Sequence, residues 1–544
     1  MIAVNDVVKE QKSKEANMKN IRKIAGICAA ALAAAGTLSS CGNGNVSTGA
    51  EVKLNGSEIY PIECEDTLTY WMGIDPRLEG AYTSFGETPL GKEVEKRTGV
   101  KVEYVHPQIG QETEQFNILL ASNELPDIVT YNWAGYAGGP DQAIDEEYIY
   151  KLNDVFEKYA PALTKYLSQN PDVDKKIKTD NGSYYVFPFV RGEEWMTCSQ
   201  GLILRKDWLD KLGLEEPKTL DELETALRGF KTLGASAPLV LNTEQLQMML
   251  FAYGTAPDFY VNDGKVVYGY ATQEYKKALE KIASWYSEGL LDNNLVSVDT
   301  KYIQSRVLNG DAGAFYGYVV SGLGALLDAK PSDDFKLTAV AQPTQNGGKP
   351  EFSYKEDNVL AASAAAISTN CKNVELAARF LDFGFTEEGH MLYNFGIEGE
   401  SYEMADDEPV FTDLITDNPE GLTFVQAAVR YSRAPSSGIF VQDPAYVKQS
   451  LTYPEEQQKA YDMWSDTNMS EHLLPPTTLL SEEQNEYAEI MNNVNTYVSE
   501  KKVAFVTGKE SIDGFDAYLE QLKAYNLDRA LELRQNAFDR YNNK

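Results

Sequence analysis

Short apolar runs rich in β-forming residues alternate with amphipathic helical stretches in the first part of the chain. They predict strands at Thr67–Met72, Lys101–His106 and Asp127–Tyr131, with helices at Leu90–Thr98 and Gln111–Ala121 between them. Strands separated by helices are typical of βαβ units, which form a parallel sheet. Because ligands of such sheets lie beyond the carboxyl ends of the strands, we expect a site near Trp71, Met72, Tyr131 and Trp133.

A second group of elements follows the same alternation further along the chain. Thr219-Leu-Asp-Glu222 has the pattern of a capping box and predicts a helix from there to about Leu233. The other predicted elements are a strand near Tyr184–Pro188, strands at Gly201–Arg205, Asp311–Val320 and Phe335–Gln342, helices at Lys206–Leu212 and Glu274–Glu288, and a buried strand or crossover at Val359–Ile367. After Asn373 we expect mainly helix.

Residues 1–40 have the pattern of a secretory leader. Met18–Lys23 is basic, and Ile24–Thr37 is an apolar stretch of 14 residues. This stretch is well short of the roughly 20 residues that span a bilayer, as in a signal peptide. The polar residues before Met18 indicate an upstream start codon, so Met18 is the expected true start.

The leader ends in Leu38-Ser-Ser-Cys41, which resembles the bacterial lipobox. In that motif the Cys is diacylated and the signal is cut just before it. Ser40 stands where Gly or Ala is usual, but it is also small. Residues 41–57 are polar and rich in Asn, Ser and Gly, which is typical of a flexible tether. The resemblance implies a diacylglyceryl anchor on Cys41, which would hold the protein on the extracellular face of the cell membrane.

The charge of the chain excludes two classes of partner. Its 544 residues hold 49 Lys and Arg against 82 Asp and Glu, a net charge of -33. Nucleic acids and anionic lipid surfaces are bound largely through basic side chains, so we expect neither. The length suggests two to four domains of about 150 residues each.

Cysteines and histidines are too few and too scattered for a metal site or a disulfide framework. Cys64, Cys198 and Cys371 lie far apart, and the three histidines lack ligand spacing. No P-loop or G-x-S-x-G motif is present, and the adjacent Glu193 and Glu194 would diverge on a strand. We therefore expect no metal, no cofactor and no catalytic residue.

Several passages occur in the order seen in one protein family. They are Leu125–Val129 with Tyr131, Trp133 and Tyr148–Asp154; Asn181–Pro188; Gly201–Asp210 with Leu212–Leu214 and Pro217–Glu222; Leu308–Phe315; and Ala377–Phe385 with Glu387–Gly389. Together they resemble the extracellular solute-binding proteins of bacterial ABC importers, specifically the sugar-binding group that includes maltodextrin-binding protein. The tail from Phe505–Lys509 to Tyr541 is similar to the long lipoprotein subgroup of that family.

The resemblance implies an α/β fold of two lobes joined by crossover strands, the type II periplasmic-binding-protein-like fold. Solute would lie in the cleft between the lobes, which close by hinge motion. The implied lobe 1 comprises residues 58–160 and 315–364. The implied lobe 2 comprises residues 161–314 and 365–544, including a helical C-terminal extension.

A sugar-binding site needs aromatic rings against the C–H faces of the sugar and polar groups at its hydroxyls. The aromatic candidates are Trp71, Trp133, Trp195, Tyr316, Tyr318 and Trp464. The polar candidates for ligand binding are Asp75, Asn132 and Arg191, with Glu193, Glu194 and Glu398 as further neighbours. Asp127, beside Pro126, is expected to be structural, and Arg191 could pair with a nearby Glu or meet an acidic sugar.

These features indicate a membrane-anchored, monomeric lipoprotein that captures a sugar, interpreted as an oligosaccharide, and delivers it to an ABC permease. Two alternatives remain open. One is a binding protein for peptide or another small polar solute. The other is a cell-surface glycoside-processing enzyme, which would need two carboxylates at a defined separation.

Overall fold

A computed structural model describes residues 48–56, 58–136 and 138–543 of the protein. The predicted leader, Met18, the lipidation site Cys41 and residues 41–47 and 57 of the predicted tether lie outside the described residues. Strands β1–β14 are Thr67–Trp71, Lys101–Val105, Ile128–Thr130, Val190–Arg191, Gln200–Arg205, Leu239–Val240, Phe259–Asn262, Lys265–Tyr268, Ala314–Tyr318, Leu337–Val340, Ala365–Ile367, Tyr402–Ala405, Glu408–Phe411 and Val441–Gln442.

Helices surround these strands and dominate the C-terminal part of the chain. Helices α1–α20 are Pro89–Thr98, Glu112–Ser122, Gly139–Asp145, Asn153–Tyr159, Pro161–Gln169, Pro171–Lys176, Lys206–Leu212, Leu220–Thr232, Gln273–Glu288, Thr300–Leu308, Ala325–Asp328, Val374–Asp382, Glu387–Phe395, Asp413–Thr416, Phe424–Tyr431, Pro444–Gln449, Pro454–Ser465, Ser481–Val506, Phe515–Ala524 and Leu527–Asn542. None of them, in the part of the chain that is described, is long and apolar enough to cross a membrane.

The first sheet has the strand order β11-β3-β1-β2 and forms the centre of lobe 1. Strand β1 pairs in parallel with β2 and β3, whereas β11 is antiparallel to β3. Side chains of a strand point alternately to its two faces, so Leu68 and Tyr70 enter one apolar core and Trp71 enters the other. The predicted parallel arrangement of the first three strands is therefore confirmed.

The second sheet has the strand order β10-β5-β9-β6 and forms the centre of lobe 2. Strand β5 is antiparallel to both β9 and β10, and β6 alone pairs in parallel, with β9. Leu202 and Leu204 face one core while Ile203 faces the other. Unlike the first sheet, this sheet is therefore mainly antiparallel.

Three chain segments cross between the lobes, and their backbones are joined by hydrogen bonds. The backbone N–H of Phe187 donates to the carbonyl of Ala365, and that of Arg191 donates to the carbonyl of Asn358 (both 2.8 Å). Strand β4 also pairs in parallel with β14. The predicted Tyr184–Pro188 strand forms only isolated bridges, of Tyr184 with Lys178 and of Phe187 with Ala365.

The implied lobe boundaries near residues 160, 315 and 365 need correction. Residues 315–364 were expected in lobe 1, but β9 and β10 belong to the second sheet, and Phe315 packs in its core. Residues from 365 onward were expected in lobe 2, but β11 belongs to the first sheet, and α12 packs beside it. Helices α5 and α6, in the segment after residue 160, also pack in lobe 1. The chain therefore returns to lobe 1 near residue 358 rather than at 315.

The mainly helical segment after Asn373 contains one hairpin that sequence periodicity did not predict. Strands β12 and β13 pair in antiparallel register around a turn at Asp406 and Asp407, both with positive φ. Asp tolerates this left-handed backbone in tight turns better than most other residues other than Gly and Asn. The capping box at Thr219 and Glu222, in contrast, is present as predicted and opens α8.

Candidate functional site

A cleft of about 690 Å³ lies where β9 ends beside the crossing strands β4 and β14. Arg77 of lobe 1 borders it, Arg191 and Gln442 come from the crossing strands, and Tyr318 comes from lobe 2. The remaining lining residues are Ser199, Gln304, Val319, Val320, Ser321, Ala325, Asp328, Thr423, Phe424, Val425, Gln426, Ala434, Pro435, Tyr446, Val447, Ser450, Thr452 and Tyr461. Its volume lies within the range of small-molecule sites, roughly 300–1,000 Å³.

Tyr318, the last residue of β9, presents an accessible aromatic ring to this cleft. Tyr318 is 44% exposed, whereas Tyr316, two residues earlier in the same strand, is buried. The ring of Tyr354 packs edge-on against that of Tyr318, with centroids 6.4 Å apart. Tyr461 also lines the cleft, and burial raises its pKa to about 12, so its hydroxyl stays protonated at neutral pH.

Arg191 is held at the wall of the cleft by two side chains. Its Nη2 donates to Oε2 of Glu356 (3.0 Å), and its Nη1 donates to Oε1 of Gln442 (2.9 Å). Gln442 in turn donates to the carbonyl of Ala434 (2.8 Å). The Nε atom of Arg191 is buried and finds no acceptor within the described residues. The wall is therefore polar and largely pre-organised.

Arg77 is fixed by the turn that follows β1. Asp75 caps the 3-10 turn Pro76–Leu78 and binds the guanidinium of Arg77 in bidentate fashion, at 2.8 and 2.5 Å. Arg77 also donates to the carbonyl of Pro435 (3.0 Å), and Ser436 donates to Asp75. Burial opposes ionisation of Asp75, but the hydrogen bonds from Arg77 and Ser436 outweigh it and keep its pKa below the usual value.

Two tryptophans expected at the ends of lobe 1 strands do not face solute. Trp133 is fully buried and donates its indole N–H to the carbonyl of Val129 (3.0 Å). Trp71 is 3% exposed and packs with Phe116 and Tyr131. The prediction that both bind ligand needs correction, because their rings fill the core between the sheet and its helices.

Two aromatic candidates of lobe 2 are also core residues. The Tyr316 hydroxyl is buried and donates to Oε1 of Gln342 (2.6 Å). Trp464 is 3% exposed, donates to the carbonyl of Val340 (2.9 Å), and packs so closely on Gly201 that a Cβ there would lie 2.2 Å from its ring. Neither prediction as a ligand-binding residue agrees with this packing.

The remaining candidates divide between the cleft and its surroundings. Arg191 and Tyr318 line the cleft, and Asp75 holds the lining residue Arg77. Trp195 lies behind the lining residue Tyr461, with ring centroids 4.9 Å apart. Asn132 does not line the cleft, since it caps the turn Trp133–Gly135 through the backbone N–H of Gly135.

Several cleft residues were not singled out from the sequence. Arg77 lies in the same loop as the candidate Asp75 and follows a strand end, so it could have been found. Gln426, Gln442 and Tyr446 come from the C-terminal segment, which carries no local signal that it returns to the cleft. Among the described residues, no group of three or more His, Cys, Asp or Glu side chains could hold a metal ion.

Comparisons with known proteins agree with this architecture. The profile of the bacterial extracellular solute-binding proteins matches residues 83–391. The fructooligosaccharide ABC transporter substrate-binding protein FusA of Streptococcus pneumoniae is 24% identical over 96% of this chain and 98% of its own length. The polygalacturonan/rhamnogalacturonan-binding protein YtcQ of Bacillus subtilis is 23% identical over 82% of this chain and 87% of its own.

A solved structure extends the likeness to three dimensions. The alginate-binding protein AlgQ2 superposes with a TM-score of 0.73 and 26% identity, covering 87% of this chain and 98% of that one. The predicted two-lobed type II fold and the prediction of a binding protein rather than an enzyme are thereby confirmed. The chain belongs to the bacterial extracellular solute-binding protein family.

Proposed function

We propose that this protein captures an oligosaccharide outside the cell and delivers it to the permease of an ABC importer. The observation that carries the proposal is the cleft that holds the exposed ring of Tyr318 together with Arg191 and Gln442. An aromatic face suits the C–H surface of a sugar, and guanidinium and amide groups suit its hydroxyls. The sugar ligands named for FusA, YtcQ and AlgQ2 support the same class of solute.

Binding would be coupled to closure of the two lobes. Arg191 and Gln442 belong to paired crossing strands, while Arg77 and Tyr318 belong to different lobes. A solute that contacts all four would favour the conformation in which the lobes are closest. No covalent chemistry is required of the protein, and we expect it to act as a monomer.

Calorimetric titration of the purified protein with oligosaccharides and with tripeptides tests the choice of solute. Binding of at least one oligosaccharide, with no heat from the tripeptides, is the expected result. Binding of tripeptides but of no sugar would overturn the proposal. Release of shortened sugars during the incubation would instead favour a glycoside-processing enzyme.

Anchoring is a separate part of the proposal and rests on the lipobox-like sequence at Cys41. A diacylated Cys41 would hold the cleft close to the permease, and two acyl chains suffice for stable attachment. Substitution Cys41→Ser should abolish incorporation of labelled fatty acid into the protein, while Cys64→Ser should leave incorporation unchanged. Labelling of the Cys41→Ser protein as strong as that of the unsubstituted protein would contradict lipidation at this residue.

A further inference from the structure

We infer that the cleft favours an uncharged oligosaccharide over one that carries carboxylates. The inference rests on the proposed function, because it names the class of sugar for the same cleft. It addresses a choice that the similar proteins leave open, since their names include both fructooligosaccharide and the acidic polymers alginate and polygalacturonan. The evidence is the way in which the positive charges of the cleft are neutralised.

The first cation of the cleft, Arg77, is already bound to a carboxylate of the protein. Asp75 engages both Nε and Nη2 of its guanidinium, and the carbonyl of Pro435 accepts a further hydrogen bond. The Asp75 side chain is only 7% exposed and that of Arg77 is 35% exposed, so the carboxylate is the part of the pair that is withdrawn from water. A sugar carboxylate would therefore have to compete with a bidentate partner that is part of the fold.

The second cation, Arg191, is also paired with a carboxylate, but through Nη2 alone. Glu356 accepts from Nη2 at 3.0 Å, and Glu356 itself is oriented by the hydroxyl of Tyr354 at 2.6 Å. Gln442 occupies Nη1 through its side-chain oxygen. The side chains of Arg191 and Glu356 are 19% and 26% exposed, so this pair is also largely withdrawn from water.

The balance of charge at the cleft is negative. Arg77 and Arg191 are each paired with a carboxylate, of Asp75 and Glu356, and Asp328 adds a further carboxylate to the lining, so the charges of these five groups sum to one negative charge. A uronate brought into this cleft would meet that charge at reduced dielectric screening, whereas a hydroxyl would not. We expect an acidic oligosaccharide to bind about tenfold or more weakly than its neutral counterpart.

The experiment compares sugars that differ only in charge. Trigalacturonate and an alginate trisaccharide are each titrated into the full protein at low salt beside their methyl esters, with kestose as a further neutral probe. The inference predicts that at least one of the neutral probes, the two esters and kestose, binds. It also predicts that each acid binds at least about tenfold more weakly than its own methyl ester, where that ester binds. An acid that binds as tightly as its ester, or more tightly, would overturn it. If none of the five compounds binds, the proposed sugar function fails as well.

Variants that expose the cations provide an independent readout. Glu356→Gln removes the carboxylate beside Arg191, and Asp75→Asn does the same for Arg77. Either change should raise the affinity for the acid relative to its ester by about tenfold. Glu486→Gln is the matched control, because it breaks an ion pair with Arg529 on α18 and α20 that does not line the cleft. A ratio that stays unchanged in both cleft variants would contradict the inference.

Discussion

Trp133 packs inside lobe 1, where its indole is surrounded by protein. Its ring lies edge-on to that of Phe116, with centroids 5.2 Å apart, and its N–H is satisfied by the carbonyl of Val129. Truncation to Ala would leave a large cavity and remove this hydrogen bond. We expect Trp133→Ala to lower the free energy of unfolding by about 3–5 kcal/mol, measured by denaturant titration.

Solute binding should be unaffected by this substitution wherever the variant is folded. The dissociation constant of Trp133→Ala, determined by calorimetry well below its unfolding midpoint, is expected to match the unsubstituted protein. Val296→Ala is a control for apolar truncation at the surface, since Val296 is 79% exposed. Normal stability combined with lost binding would place Trp133 in the solute site after all.

Tyr318 has the opposite combination of properties, because its ring is accessible and borders the cleft. We expect Tyr318→Ala to weaken oligosaccharide binding by about tenfold or more, as for an aromatic side chain that contacts ligand directly. The free energy of unfolding should change by less than about 1 kcal/mol, because little apolar surface is lost from the core. Calorimetric titration and thermal unfolding give the two quantities.

Two further variants define what Tyr318 contributes. Tyr318→Phe keeps the ring and should retain most of the affinity if stacking on the sugar dominates. Met404→Ala is the matched control, since Met404 is 46% exposed on the β12–β13 hairpin, away from the cleft. Equal binding by Tyr318→Ala and by the unsubstituted protein would remove this residue from the site.

The sequence identified the type of site residue better than its position. A Trp after a strand is consistent both with a cleft and with the core beneath it, and only the backbone path of lobe 1 directs Trp133 inward. Arg191 and Tyr318 were found because they adjoin crossing or strand-end segments. Gln442 lies about 250 residues after Arg191, and Tyr446 lies about 130 residues after Tyr318, yet they line the same cleft. Hydrophobic periodicity carries no information over such distances.

At the scale of elements, helix α5 begins without a capping side chain of its own. Asp382, at the end of α12, accepts hydrogen bonds from the backbone N–H groups of Leu163 (2.7 Å) and Ala162 (3.1 Å) in its first turn. The side chain is fully buried, and burial raises its pKa to about 6 although these hydrogen bonds oppose the shift. This distant residue therefore replaces the local cap that α5 lacks.

The raised pKa of Asp382 makes its contribution to stability depend on pH. The folded protein keeps the proton up to pH about 6, whereas the unfolded chain releases it near the usual value of 3.8. Between these values the unfolded state binds fewer protons, so the contribution falls as pH rises. We expect the free energy of unfolding relative to Asp382→Asn to fall by on the order of 2 kcal/mol from pH 4 to pH 6.5.

Urea unfolding of both proteins across this range checks the expectation. The Asn side chain cannot titrate but retains one acceptor for the α5 backbone, so it isolates the effect of the charge. Asp382→Ala, which removes both acceptors, should be less stable than Asp382→Asn at every pH. A difference that grows in favour of Asp382 as pH rises would mean that the two backbone N–H groups outweigh the burial of the carboxylate.

Helices α8 and α5 illustrate which element boundaries a sequence can define. The cap of α8 is local, because Thr219 and Glu222 lie within one turn and exchange hydrogen bonds with each other's backbone. The cap of α5 comes from a residue 219 positions after Leu163. Local capping is visible in the sequence, whereas a cap supplied by tertiary contact appears only when the fold is known.

At the scale of the whole molecule, the lobe boundaries show a similar limit. Strand β9 was predicted, as part of Asp311–Val320, but the sheet that β9 joins depends on its partners β5 and β6. These partners lie 75 or more residues earlier in the sequence. An apolar strand carries no mark of which of two sheets will accept it, so the crossing near residue 358 could not be located from the sequence pattern.

The C-terminal helices connect the two lobes on the side formed by α6 and α20. Helices α18–α20 contribute to the core of lobe 2, yet the end of α20 reaches the segment after α6 in lobe 1. Arg540 donates to Asp180 (2.9 Å) and to Glu483 (3.1 Å), and Lys175 lies 4.3 Å from the centre of the Tyr541 ring. The extension therefore belongs to both lobes rather than to lobe 2 alone.

Arg540 should consequently stabilise the molecule more than other ion-paired arginines of the same helix. The Asp180 side chain is only 3% exposed, so Arg540→Gln removes a cation from beside a buried carboxylate. We expect a loss of about 2 kcal/mol in the free energy of unfolding. Arg529→Gln is the matched control, because Arg529 pairs with the exposed Glu486 and Glu532 within lobe 2, where screening by water makes the loss small. Equal stability of the two variants in urea titrations would show that the contact of α20 with lobe 1 contributes nothing to holding the lobes together.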